Sequence, residues 1–404
     1  MVRRLLLYNR ILVVGNGFDL AHGLPTRYTD FLDFLRILKD PNIDINFDHD
    51  HKEKFIAGDG EEPYCNTDTN LDYKNFIAKI RDSTNEPWCE KVRKLSCKNN
   101  LIDYFIRIKK EENNRWIDFE GKLGEIVHSL DLTYKRTISR SENGSLAESQ
   151  LLDEVLGGEP VVFSCIRKPE YDDIKKAKEI LLDDLEHLTE SFQLYICNIV
   201  NKWDTKNRVL SPKYPVGVNK CICFNYTNTI ERFYPSIKEE DICYIHGKAR
   251  DNGRDNLVLG IDDNLDDDLK LEEYGDYTNI EFKKFYQRIY KRTGSIYKTW
   301  LQPEQTNDVI FYGHSLGVAD REVIRELINA SQHAEICFRL KKEEFGALIR
   351  NLAKDIGKES LIEKTGEDKK AITFTSLPFG PWDGDYVPDP EHKGKCHTVE
   401  ARGI

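Results

Sequence analysis

Residues 11–28, ILVVGNGFDLAHGLPTRY, constrain this chain more than any other segment. Ile11-Leu12-Val13-Val14 is a short apolar run of the kind that forms a strand buried on both faces of a sheet. Gly15, Asn16, Gly17, Phe18 and Asp19 follow at once, then Gly23 and Pro25. Beyond Pro25, the residues Tyr28, Phe31, Leu32, Leu35 and Leu38 recur on one face of a helix. Strand, glycine turn and helix together are how a doubly wound α/β sheet presents backbone N–H groups to a phosphate. Position 20 is Leu, so the dinucleotide fingerprint G-x-G-x-x-G is not completed, and the turn alone also fits a tight bend without a ligand.

The length of 404 residues implies two domains, or one large domain with an insertion. Charged residues make up 32% and hydrophobic ones 39%, which is a globular balance. No apolar run approaches the roughly 20 residues of a membrane span. The opening MVRRLLLYNRILVVGNG has a signal-like start, but Asn9 and Arg10 interrupt it, so it reads as a first strand and the expected location is cytoplasmic. The net charge of −11 argues against a sequence-independent nucleic-acid binder. Ten cysteines include no C-x-x-C pair, so Cys221, Cys223 and Cys337 read as reduced thiols in core strands and no metal site is expected.

Helical periodicity dominates residues 41–205, with amphipathic segments near 89–110 and 115–130 and a long helix over 171–203. The polar stretch 136–150 reads as a loop. Strand patterns return at 219–224, 241–245, 256–261, 308–312 and 335–340, a helix follows at 319–332, and a last strand is placed at 371–376. The expected architecture is a Rossmann-like α/β fold with a mostly parallel sheet and a large helical insertion. Its parts are residues 1–40 and 206–345 of the α/β domain, the insertion 41–205 and a C-terminal extension 346–404. The tail after Pro381 reads as loosely ordered.

Ligands of open α/β sheets bind at the carboxyl ends of strands. Four of these strand ends carry small, polar or imidazole groups: Gly15 to Asp19, Asn225 to Glu231, His246-Gly247, and Gly313-His314-Ser315-Leu316. In order and spacing they resemble the motifs of the sirtuin-type NAD-binding fold. Within that group, NGFDLAHGLPTRY, WIDFE at 116–120, FNYTNTIE, IHG and FYGHSLG are similar to the bacterial AbiH-like abortive infection family. The resemblance implies antiphage defence in which NAD or a related nucleotide is bound and hydrolysed. Asn225 and His246 would be catalytic, and Gly15, Asn16, Gly17, Phe18, Asp19, Gly23, Pro25, Gly313, His314 and Ser315 would hold the nucleotide. Thr227 stands where sirtuins carry an Asp, and the four-cysteine zinc module is missing, so protein deacetylation is not expected. A phage-derived trigger and self-association are the expected partners, with neither membrane nor nucleic acid.

Cleavage of a nicotinamide–ribose bond develops positive charge on the sugar, as in glycoside hydrolysis. His246, with an ordinary pKa of about 6.5, suits a general base, and Asn225 suits a ribose hydroxyl or a water. Asp19 either contacts a ribose or fixes its loop. Trp116, Asp118 and Glu120 fall on a helix, where spacing two keeps the two carboxylates off one face, though Glu120 alone can reach a cleft. Three other readings compete. A nucleotide sensor without catalysis fits the same loops. Gly313 to Gly317 also matches a serine-hydrolase elbow, with Ser315 as nucleophile and His333, His392 or His397 as base. Asp262, Asn264, Asp266 and Glu273 match a calcium loop, but Asp267 replaces its glycine, so a solvated acidic loop is favoured.

Overall fold

The computed structural model describes residues 8–43, 67–111, 118–139, 146–157, 171–204, 217–251, 256–261, 279–302, 306–317, 320–339 and 342–377. Trp116, the calcium-like residues Asp262, Asn264, Asp266, Asp267 and Glu273, the histidines His392 and His397, and the tail after Pro381 lie outside the described residues.

The first strand, β1 (Tyr8–Val14), is buried on both faces as its apolar run requires. Ile11 and Val13 join one core layer, while Leu12 and Val14 join another on the opposite face. The remaining strands are β2 (Lys220–Cys223), β3 (Ile242–Tyr244), β4 (Thr306–Tyr312), β5 (His333–Arg339) and β6 (Ile372–Leu377). They form one six-stranded sheet in the order β3-β2-β1-β4-β5-β6, with every pairing parallel. This is the doubly wound order, and its switch point falls between β1 and β4. The turns that follow these two strands begin at Gly15 and Gly313.

The helices are α1 (Asn16–Ala21), α2 (Tyr28–Lys39), α3 (Thr67–Ser83), α4 (Pro87–Leu95), α5 (Asn100–Glu111), α6 (Phe119–Ser139), α7 (Leu146–Leu156), α8 (Tyr171–Tyr195), α9 (Thr229–Phe233), α10 (Lys284–Lys291), α11 (Arg321–Ala330), α12 (Lys342–Ile356) and α13 (Lys358–Thr365). Helices α11, α12 and α13 cover one face of the sheet through Ile324, Leu327, Leu352 and Leu361. Helices α2 to α8 share a separate core. There α2 is buried on more than its predicted face: Phe34 stacks on Trp88 at 5.7 Å, and Ile37 is inaccessible. The predicted segment 89–110 breaks because Asn99 caps α5, its side-chain oxygen accepting the Ile102 N–H at 2.9 Å.

Two local expectations are corrected. Residues 256–261 are not a strand, apart from one bridge of Ile261 to Lys283. Leu257, Leu259 and Ile261 instead pack into the helical core. Their backbone finds partners outside the sheet: the Val258 N–H donates to the His246 carbonyl, and the Gln287 side chain both donates to and accepts from Leu259. The polar run 136–150 is not one loop, because α6 continues to Ser139 and α7 starts at Leu146. No helix among the described residues is long and apolar enough to cross a membrane.

Candidate functional site

The four sequence-predicted strand ends touch one another at the carboxyl edge of the sheet. The Gly15 N–H donates to the Tyr312 carbonyl at 3.3 Å and the Gly17 N–H to the Gly313 carbonyl at 2.9 Å. A Cβ on Gly15 would stand 2.8 Å from the His314 Cα, so only glycine allows this approach. Asn225 ties in the β2 end, its side-chain amide donating to the Gly15 carbonyl at 2.9 Å. The two glycines therefore bring the turns of β1 and β4 together, and their N–H groups are engaged in doing so.

Asp19 is buried beneath this junction and accepts a hydrogen bond from the Thr227 hydroxyl at 2.7 Å. Burial pushes its carboxyl up to about 6 against hydrogen bonds from Thr229, Thr227 and Asn225, which oppose the rise. The hydroxyl at position 227 thus serves the fold of the turn. Phe18 lies in the core, with its ring against Tyr312 and His22. Gly23 turns the chain, and the Pro25 carbonyl accepts the Tyr195 hydroxyl at 2.8 Å. Asn16 and Ser315 are the exposed members of the predicted set.

The chemistry concentrates on His246, which follows β3. Its Nε2 lies 2.8 Å from Asp320 Oδ1. Burial would raise the Asp320 carboxyl, but the Lys284 ammonium, together with His246, reverses this and holds it well below the usual carboxylate range. An ionised carboxylate only accepts, so His246 carries its proton on Nε2. Burial, then the Lys284 charge, pushes the imidazole down to about 4, so the ring is neutral and Nδ1 is a bare lone pair. That nitrogen is buried and has no hydrogen-bond partner in the structure.

A second imidazole supports the first. His314 Nδ1 accepts the Leu316 N–H at 2.9 Å, which leaves its Nε2 protonated, 3.4 Å from Asp320 Oδ2. Leu316 holds a left-handed φ of 52° while buried, a strain of roughly 1–2 kcal/mol for a side chain of this kind. Its N–H is what fixes the His314 ring. Phe224 stands edge-on between the two imidazoles, at 4.3 Å from His314 and 5.5 Å from His246.

Three residues of this cluster were not singled out as site residues by sequence reasoning. Asp320 lies just before α11, where it reads as a helix cap. Lys284 Nζ sits 3.5 Å from Asp320 Oδ1 and 2.8 Å from Glu120 Oε1, and only 6% of its surface is exposed. Burial would lower this ammonium, but Asp320 and Glu120 outweigh burial and raise it. Tyr226, after β2, donates its hydroxyl to the Val258 carbonyl at 2.9 Å, and its ring lies 6.3 Å from His246. Glu120, read as able to reach a cleft, does so, while Asp118 accepts the Gly121 N–H at 2.9 Å as the helix cap.

The serine-hydrolase reading finds no base in His333. That residue starts β5, paired with Asp308 at the beginning of β4, and donates to or accepts from Thr373. Ser315 follows the opposite end of β4, roughly 20 Å away at the rise of a strand. A cavity of about 310 Å³ lies beside β3, lined by Gly247, Lys248, Arg250, Asn256 and Arg292 among others; His246 does not line it. Among the described residues, no group of three or more His, Cys, Asp or Glu side chains is placed to hold a metal ion.

A family model described as bacteriophage abortive infection AbiH matches residues 11–339. The chain belongs to that family. The match spans the glycine turn, the whole helical insertion and every strand end of the site, and AbiH membership supports a role in antiphage defence by abortive infection. No curated protein and no solved structure matches the chain.

Proposed function

We propose that this AbiH protein binds NAD or a related nucleotide at the carboxyl edge of its sheet and hydrolyses the bond between base and ribose. The observation that carries the reading is the bare, buried Nδ1 of His246, held by an ionised Asp320 beside the switch point of a doubly wound sheet. The motif order that resembles the sirtuin-type fold supports the same ligand class.

In this reaction a water oxygen forms a bond to the ribose C1′ as the bond from C1′ to the ring nitrogen breaks. The electron pair of that bond stays with the leaving nicotinamide, neutralising it. His246 Nδ1 takes the proton that the water loses, and Asp320 stabilises the imidazolium that results. Glu120 and Asp320 place two carboxylates on either side of Lys284, and the Asp320 carboxylate suits a cationic pyridinium and the positive sugar of the transition state. Asn225 is engaged with Gly15 and supports the turn. Asn16 and Ser315 are the exposed polar side chains available to the rest of the nucleotide.

Incubation of the purified protein with NAD should release nicotinamide, and His246→Ala should slow release by ~10²-fold or more. A loss under tenfold would remove His246 as the base. The pH profile gives an independent check. The neutral imidazole is the active form, so its depressed pKa keeps it active through neutrality, and the acid limb of kcat/KM should fall near pH 4. An acid limb at the ordinary histidine value would mean that a different, solvated group titrates.

A further inference from the structure

We infer that Glu120, carried into the site by the helical insertion, is a positioning residue that acts through Lys284 on the Asp320–His246 pair. This rests on the reading of His246 as base. Each described part of the sequence element WIDFE then has a task. Asp118 caps α6, and Phe119 anchors it, with its ring 4.5 Å from Phe105 and 5.1 Å from Tyr28. Glu120 is thereby fixed in the first turn, where Oε1 meets Lys284 Nζ at 2.8 Å.

Lys284 is one ammonium between two carboxylates. On its other side it reaches Asp320 Oδ1, the oxygen that also receives the His246 Nε2–H. Lysine and histidine therefore compete for a single oxygen. The distances show how the competition is resolved: Lys284 stands closer to Glu120, at 2.8 Å, than to Asp320, at 3.5 Å. Glu120 draws the ammonium away and leaves Asp320 to orient His246. The groups facing His246 from the packed elements are Asp320, Lys284 and Arg288, with His314, Tyr226 and Glu120 adjoining them. Since Glu120 belongs to α6, the α/β domain alone does not complete the site.

The test uses the full chain as wild type, Glu120→Gln, Lys284→Met and the double variant. His246 is titrated by NMR of labelled imidazoles, and nicotinamide release is measured on the same four proteins. Lys284→Met and the double variant should raise the His246 pKa by at least ~1 unit, because the competing cation is gone. Glu120→Gln should leave it at or below the wild-type value while lowering kcat ~10-fold, with KM little changed. The double variant should be no slower than Lys284→Met alone, since Glu120 has nothing left to act through. Lys284→Met strands two buried carboxylates and can fail to fold; the double variant replaces the ion pair by neutral groups of similar volume and keeps the titration measurable.

Losses that multiply in the double variant, or a His246 pKa unmoved in it, would overturn the inference. A melting temperature that drops in Glu120→Gln without any change in kcat would assign Glu120 a structural role only, which also overturns it. A wild type that releases no nicotinamide defeats the hydrolase reading; the titration still reads whether Lys284 acts on His246, and a His246 pKa that rises in Glu120→Gln would overturn the inference.

Discussion

Replacing Asp320 by Asn should cut nicotinamide release by ~10³–10⁴-fold while leaving the fold intact. The substitution preserves shape but changes which proton sits where. Asp320 Oδ1 accepts the His246 Nε2–H at 2.8 Å, and that bond leaves Nδ1 bare. An amide NH₂ turned toward Nε2 would favour the opposite tautomer, with the proton on Nδ1 and no lone pair for water. An amide oxygen turned that way could still accept, but it would stabilise an imidazolium far less than a carboxylate does. Stability should hold because Lys284 keeps its closer partner, Glu120, at 2.8 Å. Single-turnover release of nicotinamide, measured beside a thermal melt, checks both halves. A loss under tenfold in a folded protein would mean that Asp320 does not orient the base.

The second large effect concerns folding. Gly313→Ala should destabilise the protein by about 3 kcal/mol or more. Gly313 holds a φ of +63°, and a Cβ there would stand 2.2 Å from the Phe18 nitrogen and 2.5 Å from the Gly17 carbonyl carbon. Both are backbone atoms of the facing turn, so no side chain can swing aside. Relief would require the β1 and β4 turns to part, breaking the bond from the Gly17 N–H to the Gly313 carbonyl. Gly317 in the same loop supplies the control: a Cβ there meets only the Ser315 hydroxyl at 3.3 Å, so Gly317→Ala should cost less than about 1 kcal/mol. Urea midpoints of the two variants separate these expectations. Equal midpoints would show that the turns do not pack as closely as described.

The strands were legible because each is a short apolar run between turn residues, buried on both faces: Ile11 to Val14, Cys221 to Cys223 and Val309 to Tyr312 are examples. Residues 256–261 carry the same pattern and are not a strand, because their apolar side chains fill a neighbouring helical core and Gln287 supplies the hydrogen bonds that a strand partner would give. The loops of the site were legible as well, since glycine, asparagine and histidine after a buried strand are unusual in combination. Their ion-pair partners were not. Lys284 lies in the run KKFYQRIYKR, which reads as a solvated basic helix, and nothing local marks one of its lysines as buried. Asp320 resembles an ordinary cap. Glu120 was visible as a carboxylate near a cleft, but its role depends on Lys284, which lies far away in sequence and which only the tertiary fold brings within reach. Long-range charge pairing leaves no periodicity in a sequence, whereas burial does.

Binding at the His246 site can be read by following the histidine imidazoles by NMR while NAD is added to the wild-type protein, under conditions too brief for turnover. Binding at the proposed site should make the His246 and His314 signals shift together and saturate, while those of His187 on α8 and His333 at the far end of the sheet stay in place. Movement at His187 or His333 with His246 unaffected, or no change at any imidazole, would contradict it.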